Sequence, residues 1–178
     1  MGISGISQRL ADRLTAVQRT RFVGRVAELE LFRAAIAEPH PPFAVLHVYG
    51  PGGIGKTTLL SEYQRIAQNR EIPMIYLDGR NVDPSPPGFL DALSLALGGV
   101  PNPVAALSRL ERVVLLIDTY EILAPLDRWL RDQFLPQLPD ASLMVIAGRD
   151  LPHPGWRTTP GWRDLTRIVS LRNLHPEE

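Results

Sequence analysis

Phe43-Ala44-Val45-Leu46-His47-Val48-Tyr49 runs directly into Gly50-Pro51-Gly52-Gly53-Ile54-Gly55-Lys56-Thr57. The first half is a short apolar run bounded by turn residues, which reads as a buried parallel strand. The second half fits the pattern G-x-x-x-x-G-K-[ST], and helical spacing continues from Lys56 to about Asn69. Strand, glycine-rich turn and helix in that order make a P-loop. Its glycines let the backbone curl until successive N–H groups face phosphate oxygens. The helix N-terminus adds partial positive charge. Lys56 is placed to reach the β- and γ-phosphates, and the Thr57 hydroxyl to ligate Mg²⁺. Gly50, Pro51, Gly52, Gly53, Ile54, Gly55, Lys56 and Thr57, with Thr58 next on the helix, form the expected nucleotide-binding set.

Composition supports the same reading. Of the 19 basic residues, the only lysine is Lys56, at the one position where a P-loop needs a compact ammonium on a flexible stem. Arginine, bulkier and planar, is a poor substitute there. Val113-Val114-Leu115-Leu116-Ile117-Asp118 is a second apolar strand ending in an acid. Such an acid faces the crevice at the carboxyl ends of an open α/β sheet, so Asp118 is the expected Mg²⁺ partner. Glu121 comes three residues later, as a candidate base for water or as a capping acid. A further strand, Leu143 to Ala147, runs into Gly148-Arg149-Asp150. Arg149 there is a candidate sensor of the γ-phosphate or one half of an ion pair.

Around these lie strands at Pro73–Leu77 and Arg167–Leu171, and helices at Val26–Ala37, Phe89–Leu97 and Pro125–Phe134. The segment 83–88 and the glycines and prolines of 98–103 read as loops. Strands alternating with helices predict an α/β fold of three layers, a P-loop NTPase with a mostly parallel five-stranded sheet flanked by helices. Residues 1–20 hold an amphipathic helix, with Ile3, Ile6, Leu10, Leu14 and Val17 on one face, packed on its own domain or on a partner. Residues 21–172 form the core, and 173–178 resemble the opening of a further helix, the start of a following domain. The phrases Gly155-Trp156-Arg157 and Gly161-Trp162-Arg163 read as a loop packed on the sheet edge.

The chain's 178 residues carry no net charge and no cysteine. That argues against a broad nucleic-acid field, disulfides and thiolate metal sites. The four histidines show no ligand spacing. No apolar run approaches the length needed to span a bilayer, and the N-terminus has charges where a signal peptide needs its apolar stretch. The expected location is cytoplasmic. Guanine-specific P-loop proteins read their base with an [NT]-K-x-D motif, which needs a second lysine, so adenine is favoured.

Phe22-Val23-Gly24-Arg25, with Glu28-Leu29 close behind, resembles the hhGRExEL segment of STAND-class signalling ATPases, the P-loop proteins that include NB-ARC, NACHT and MalT-type regulators. Asp118-Thr119-Tyr120-Glu121, Ala147-Gly148-Arg149 and the stretch from Arg172 to Glu178 resemble that family's acidic motif, strand-end arginine and linker to a helical or winged-helix domain. The resemblance implies an AAA-like core that binds ATP or ADP with Mg²⁺. It also implies slow hydrolysis, switching through self-association or a partner protein, and nucleic-acid contact only through domains further along. By matched position, Phe22, Val23 and Arg25 would line the adenine pocket. Val26 stands where the family carries glutamate, and Thr119 where a second acid often succeeds the first. Two other functions fit the P-loop: an oligomerisation module that holds nucleotide without turnover, and a small-molecule or nucleotide kinase using Arg80 and Arg149.

Overall fold

The computed structural model describes residues 25–172. The helix expected within residues 1–20, together with Phe22, Val23 and residues 173–178, lies outside the described residues. Five short runs rich in apolar residues give five strands: β1 Val45–Tyr49, β2 Met74–Asp78, β3 Val114–Asp118, β4 Leu143–Gly148 and β5 Thr166–Ser170. They form one sheet in the order β2-β3-β4-β1-β5, and every neighbouring pair is parallel. The sheet is therefore wholly parallel.

Three layers result from the period of two along each strand. Val45, Ile75, Leu115, Ile117, Met144 and Ile146 point to one face. There they meet Phe89 and Leu93 of α3 (Pro86–Ala96) and Leu107 of α4 (Pro103–Leu107). Leu46, Val48, Val114, Leu116, Val145 and Ala147 point to the other. That face packs Phe32 and Ile36 of α1 (Val26–Ala37), and Leu59, Leu60 and Tyr63 of α2 (Lys56–Asn69). Phe32 and Tyr63 stack with centroids 4.2 Å apart, and the Tyr63 hydroxyl donates to the Glu28 carbonyl at 3.0 Å, tying α1 to α2. The central strands β3 and β4 are buried at every position, whereas the edge strands β2 and β5 are not.

Prolines that read as loop markers turn out to open helices. Ser85 caps α3 by accepting from the Gly88 N–H at 3.2 Å, with Pro86 and Pro87 in the first turn. Asn102 caps α4 in the same way, accepting from Ala105 at 3.0 Å ahead of Pro103. A first-turn residue has no intrahelical acceptor for its N–H, so proline loses nothing there. The helix expected at Pro125–Phe134 is broken into a 3₁₀ turn Ala124–Leu126, an α turn Asp127–Trp129 and a π stretch Leu130–Phe134. Trp156 is not in a loop at the sheet edge. It sits on the short helix Pro154–Thr158, fully buried, and its indole N–H donates to Asp127 at 2.8 Å.

Among the described residues His47 is the one histidine in the core, 2% exposed. Burial pushes its imidazole down to about 4 from the usual 6.5. A base with a depressed folded pKa leaves stability intact above the unfolded value, while the unfolded chain gains protons first as pH falls. Stability should therefore decline between about pH 6.5 and about pH 4, by about 3 kcal/mol in all. Urea midpoints across that range should show the decline, and His47→Leu should reduce it.

Candidate functional site

The P-loop lies at the carboxyl end of β1, where the strand stops and α2 begins. Gly53 and Gly55 sit at φ +77° and +99°, the left-handed region that glycine enters without steric cost. Gly50 has another constraint: a Cβ there would stand 2.7 Å from the Leu171 carbonyl oxygen. Among the described residues, no group accepts a hydrogen bond from the backbone N–H of Gly52, Gly53, Ile54, Gly55, Lys56, Thr57 or Thr58. The first amide to find a partner is that of Leu59, which donates to Gly55 at 2.9 Å. This leaves a run of backbone donors on exposed and half-buried residues at a helix N-terminus. Unsatisfied amides in that setting are an anion-binding surface.

Lys56 folds back over the loop, its ammonium donating to the carbonyls of Gly50 at 2.7 Å and Pro51 at 2.8 Å. Its pKa is held below the usual lysine value, first by burial. Arg149 adds to the lowering, while Glu121 and Asp118 oppose it. Asp118, Glu121 and Arg149, each singled out in the sequence, thus act on one ammonium.

Asp118, 3% exposed at the end of β3, is held on both oxygens. Oδ2 accepts from the Thr57 hydroxyl at 2.6 Å and the Tyr76 hydroxyl at 3.0 Å, and Oδ1 from the Thr119 N–H at 2.8 Å. Tyr76 escapes the sequence reading. Its signal is a tyrosine inside an otherwise aliphatic strand, whose hydroxyl needs a partner when buried. Burial, then the Asp118 charge, pushes that phenol well above its usual range. Thr119 itself is left-handed, at φ 54° and ψ 43°. A β-branched residue there is strained by about 1–3 kcal/mol, and the strain lies directly beside the acid.

Glu121, in the 3₁₀ turn Tyr120–Ile122, is drawn to β4. Its Oε2 accepts from the Arg149 N–H at 3.2 Å, and its Oε1 pairs with the Arg149 guanidinium at 3.2 Å. That guanidinium lies 3.9 Å from where a Cβ on Gly52 would be. The structure therefore brings Glu121, Arg149, Lys56, Thr57 and Asp118 together around the loop. Glu121 and Arg149 engage each other within this cluster.

The donor set suits Mg²⁺. Among the described residues no three His, Asp or Glu side chains are grouped to hold a metal by themselves. Mg²⁺ commonly takes one or two protein oxygens and completes its shell with water and phosphate. A threonine hydroxyl touching a buried carboxylate supplies that pair.

Arg25 is 6% exposed and braces the loop from beneath. Its Nη2 donates to the carbonyls of Ile54 at 3.1 Å and Arg172 at 2.8 Å, and its Nη1 to Glu28 at 3.4 Å. It links α1, the P-loop and the chain after β5. Arg80 pairs with Asp78 at 2.6 Å.

The sequence matches no protein-family profile and no curated protein. Its fold does have solved relatives. Cdc6p from Pyrobaculum aerophilum is similar over 83% of this chain and 45% of its own, at 16% identity and a TM-score of 0.61. The Drosophila ORC bound to DNA is similar over 90% and 45%, at 17% identity and TM-score 0.59. AMPPCP-bound DnaA from Aquifex aeolicus is similar over 84% and 46%, at 17% identity and TM-score 0.51. The chain spans about half the length of these proteins, and at such identities the likeness is one of fold. Among the described residues no helix is long and apolar enough to cross a membrane.

Arg25→Ala should strand two carbonyls and destabilise the protein by about 2 kcal/mol, as the loss of hydrogen bonds from a charged donor implies. Chemical denaturation would measure it. Thr119→Gly should act in the opposite direction, raising stability by about 1 kcal/mol as the left-handed strain is relieved.

Proposed function

We propose that this chain is a regulatory ATPase domain that binds ATP with Mg²⁺, hydrolyses it slowly and switches conformation between its ATP and ADP forms. The observation that carries the reading is the run of unpartnered amides from Gly52 to Thr58 beside the chain's only lysine. The fold it shares with an AMPPCP-bound DnaA supports it, as does the motif set resembling STAND-class ATPases. In this reading the domain works in the cytoplasm and passes its state to a partner or a second copy. The resemblance assigns Phe22, Val23 and Arg25 to the adenine pocket, and this reading keeps that assignment.

The loop amides and the Lys56 ammonium take the phosphate oxygens, and the helix N-terminus orients them. Thr57 and Asp118 would hold Mg²⁺, which when bound would supply positive charge to the phosphate oxygens. Tyr76 and the Thr119 amide fix the Asp118 carboxylate in one rotamer. Glu121 accepts the proton of the attacking water on a carboxylate oxygen, which requires Arg149 to release that oxygen. The released guanidinium is then close enough to Gly52 to meet the terminal phosphate.

The same ion pair favours a second reading. While Arg149 holds both Glu121 oxygens there is no free base, and the domain would keep nucleotide as a structural ligand without turnover.

Calorimetry and single-turnover hydrolysis separate these readings. Lys56→Ala should weaken ATP binding by about ten- to a hundredfold, the worth of a charge-assisted contact; unchanged binding would overturn the site. Glu121→Gln should retain binding and lower hydrolysis by about a hundredfold. No Mg²⁺-dependent product from the wild type, even at long times, would leave the structural reading standing.

A further inference from the structure

A cavity of about 380 Å³ is lined by Glu121, by His47 in the middle of β1 and by Gly148 at the carboxyl end of β4. Its size is that of a small-ligand site. Two side chains in its wall each leave one polar atom without a hydrogen-bond partner among the described residues. Asp127 is 7% exposed, and Oδ1 alone takes both its hydrogen bonds, from the Tyr120 hydroxyl and from the Trp156 indole at 2.8 Å. Among the described residues Oδ2 accepts none, and no ion pair reaches this carboxylate. The buried cation one turn away, Arg131, turns its Nε to Asp132 at 3.1 Å and its guanidinium over the Trp156 ring. His47 contributes an imidazole whose Nδ1 is also without a partner.

The Asp127 carboxylate is held by two neutral donors on one oxygen, and a cation is the group that pairs best with the other. The rest of the lining shows which charge is missing. Glu121 is neutralised by Arg149. That leaves Asp127 and the exposed Asp150 facing a single cation, Arg157. Leu151 and the Tyr120 ring supply an apolar wall. The site lacks a positive group carried on a small apolar body.

We infer that this cavity binds a small organic ammonium, its charged head between Asp127 and Asp150 and its hydrocarbon part against Leu151 and Tyr120. The His47 ring offers the body a flat wall. The pocket shares Glu121 with the phosphate site yet uses none of the P-loop, so a ligand here is an effector and not the nucleotide.

Titration of the nucleotide-free, isotope-labelled chain with benzylamine and with 1,4-diaminobutane, monitored by NMR at the His47 imidazole and Trp156 indole, tests this. At least one amine should produce saturable shifts with a Kd of about 1 mM or tighter, and benzyl alcohol should produce none. Asp150→Asn should weaken the amine at least about fivefold, the loss of one charge-assisted contact. Leu151→Trp, at an exposed rim position, should abolish the shifts by filling the cavity. Equal response to benzyl alcohol, unchanged affinity in Asp150→Asn, shifts that survive Leu151→Trp, or no saturable response to either amine would each overturn the inference. None of these outcomes bears on the phosphate loop.

Discussion

A run of seven consecutive backbone amides without an acceptor among the described residues is the constraint around which this molecule is arranged. Peptide N–H groups are normally paired, because an unpaired one is expensive wherever water is excluded. Keeping them unpaired and pointed one way requires a backbone bent through two left-handed glycines and a helix that starts where they end. It also needs supports that stop the loop from collapsing inward. Those supports are Lys56 on the loop's own carbonyls and, from distant parts of the chain, Arg25 on Ile54 and the close approach of Leu171 to Gly50.

The sheet explains how the partners of that loop arrive. The strand order places β4 between β1 and β3. Asp118, at the end of β3, therefore reaches Thr57 across the end of β4, and Arg149, leaving β4, emerges between them. A parallel sheet puts all of these carboxyl ends on one edge. Charge then gathers where the chain has few choices. One guanidinium and two carboxylates lie close enough to one ammonium to shift its affinity for protons.

The pairing of Glu121 with Arg149 links the P-loop to the Asp127 pocket. Glu121 pairs with Arg149 beside the P-loop and also forms part of the pocket wall. It sits one residue beyond Tyr120, whose hydroxyl is bound to Asp127. Any movement of the 3₁₀ turn Tyr120–Ile122 therefore moves both sites together. Thr119, in the left-handed region, starts that turn.

Local order is legible in the residues alone. The helix limits Val26–Ala37 and Lys56–Asn69, the five strands and the loop from Gly50 to Thr57 come from periodicity, glycine placement and the solitary lysine, all short-range properties of the chain. The openings of α3 and α4 are not legible in the same way, because serine or asparagine near a proline marks a turn and a helix start equally well. Packing of Phe89, Leu93 and Leu107 against the sheet decides between the two. Tertiary structure alone settles which groups meet: Tyr76 with Asp118, Arg149 with Glu121, Arg25 with Ile54 and Arg172, Trp156 with Asp127. Each of these contacts spans 28 or more residues. Sequence spacing carries no information about such pairs, because strand order and the packing of two opposed sheet faces bring them together.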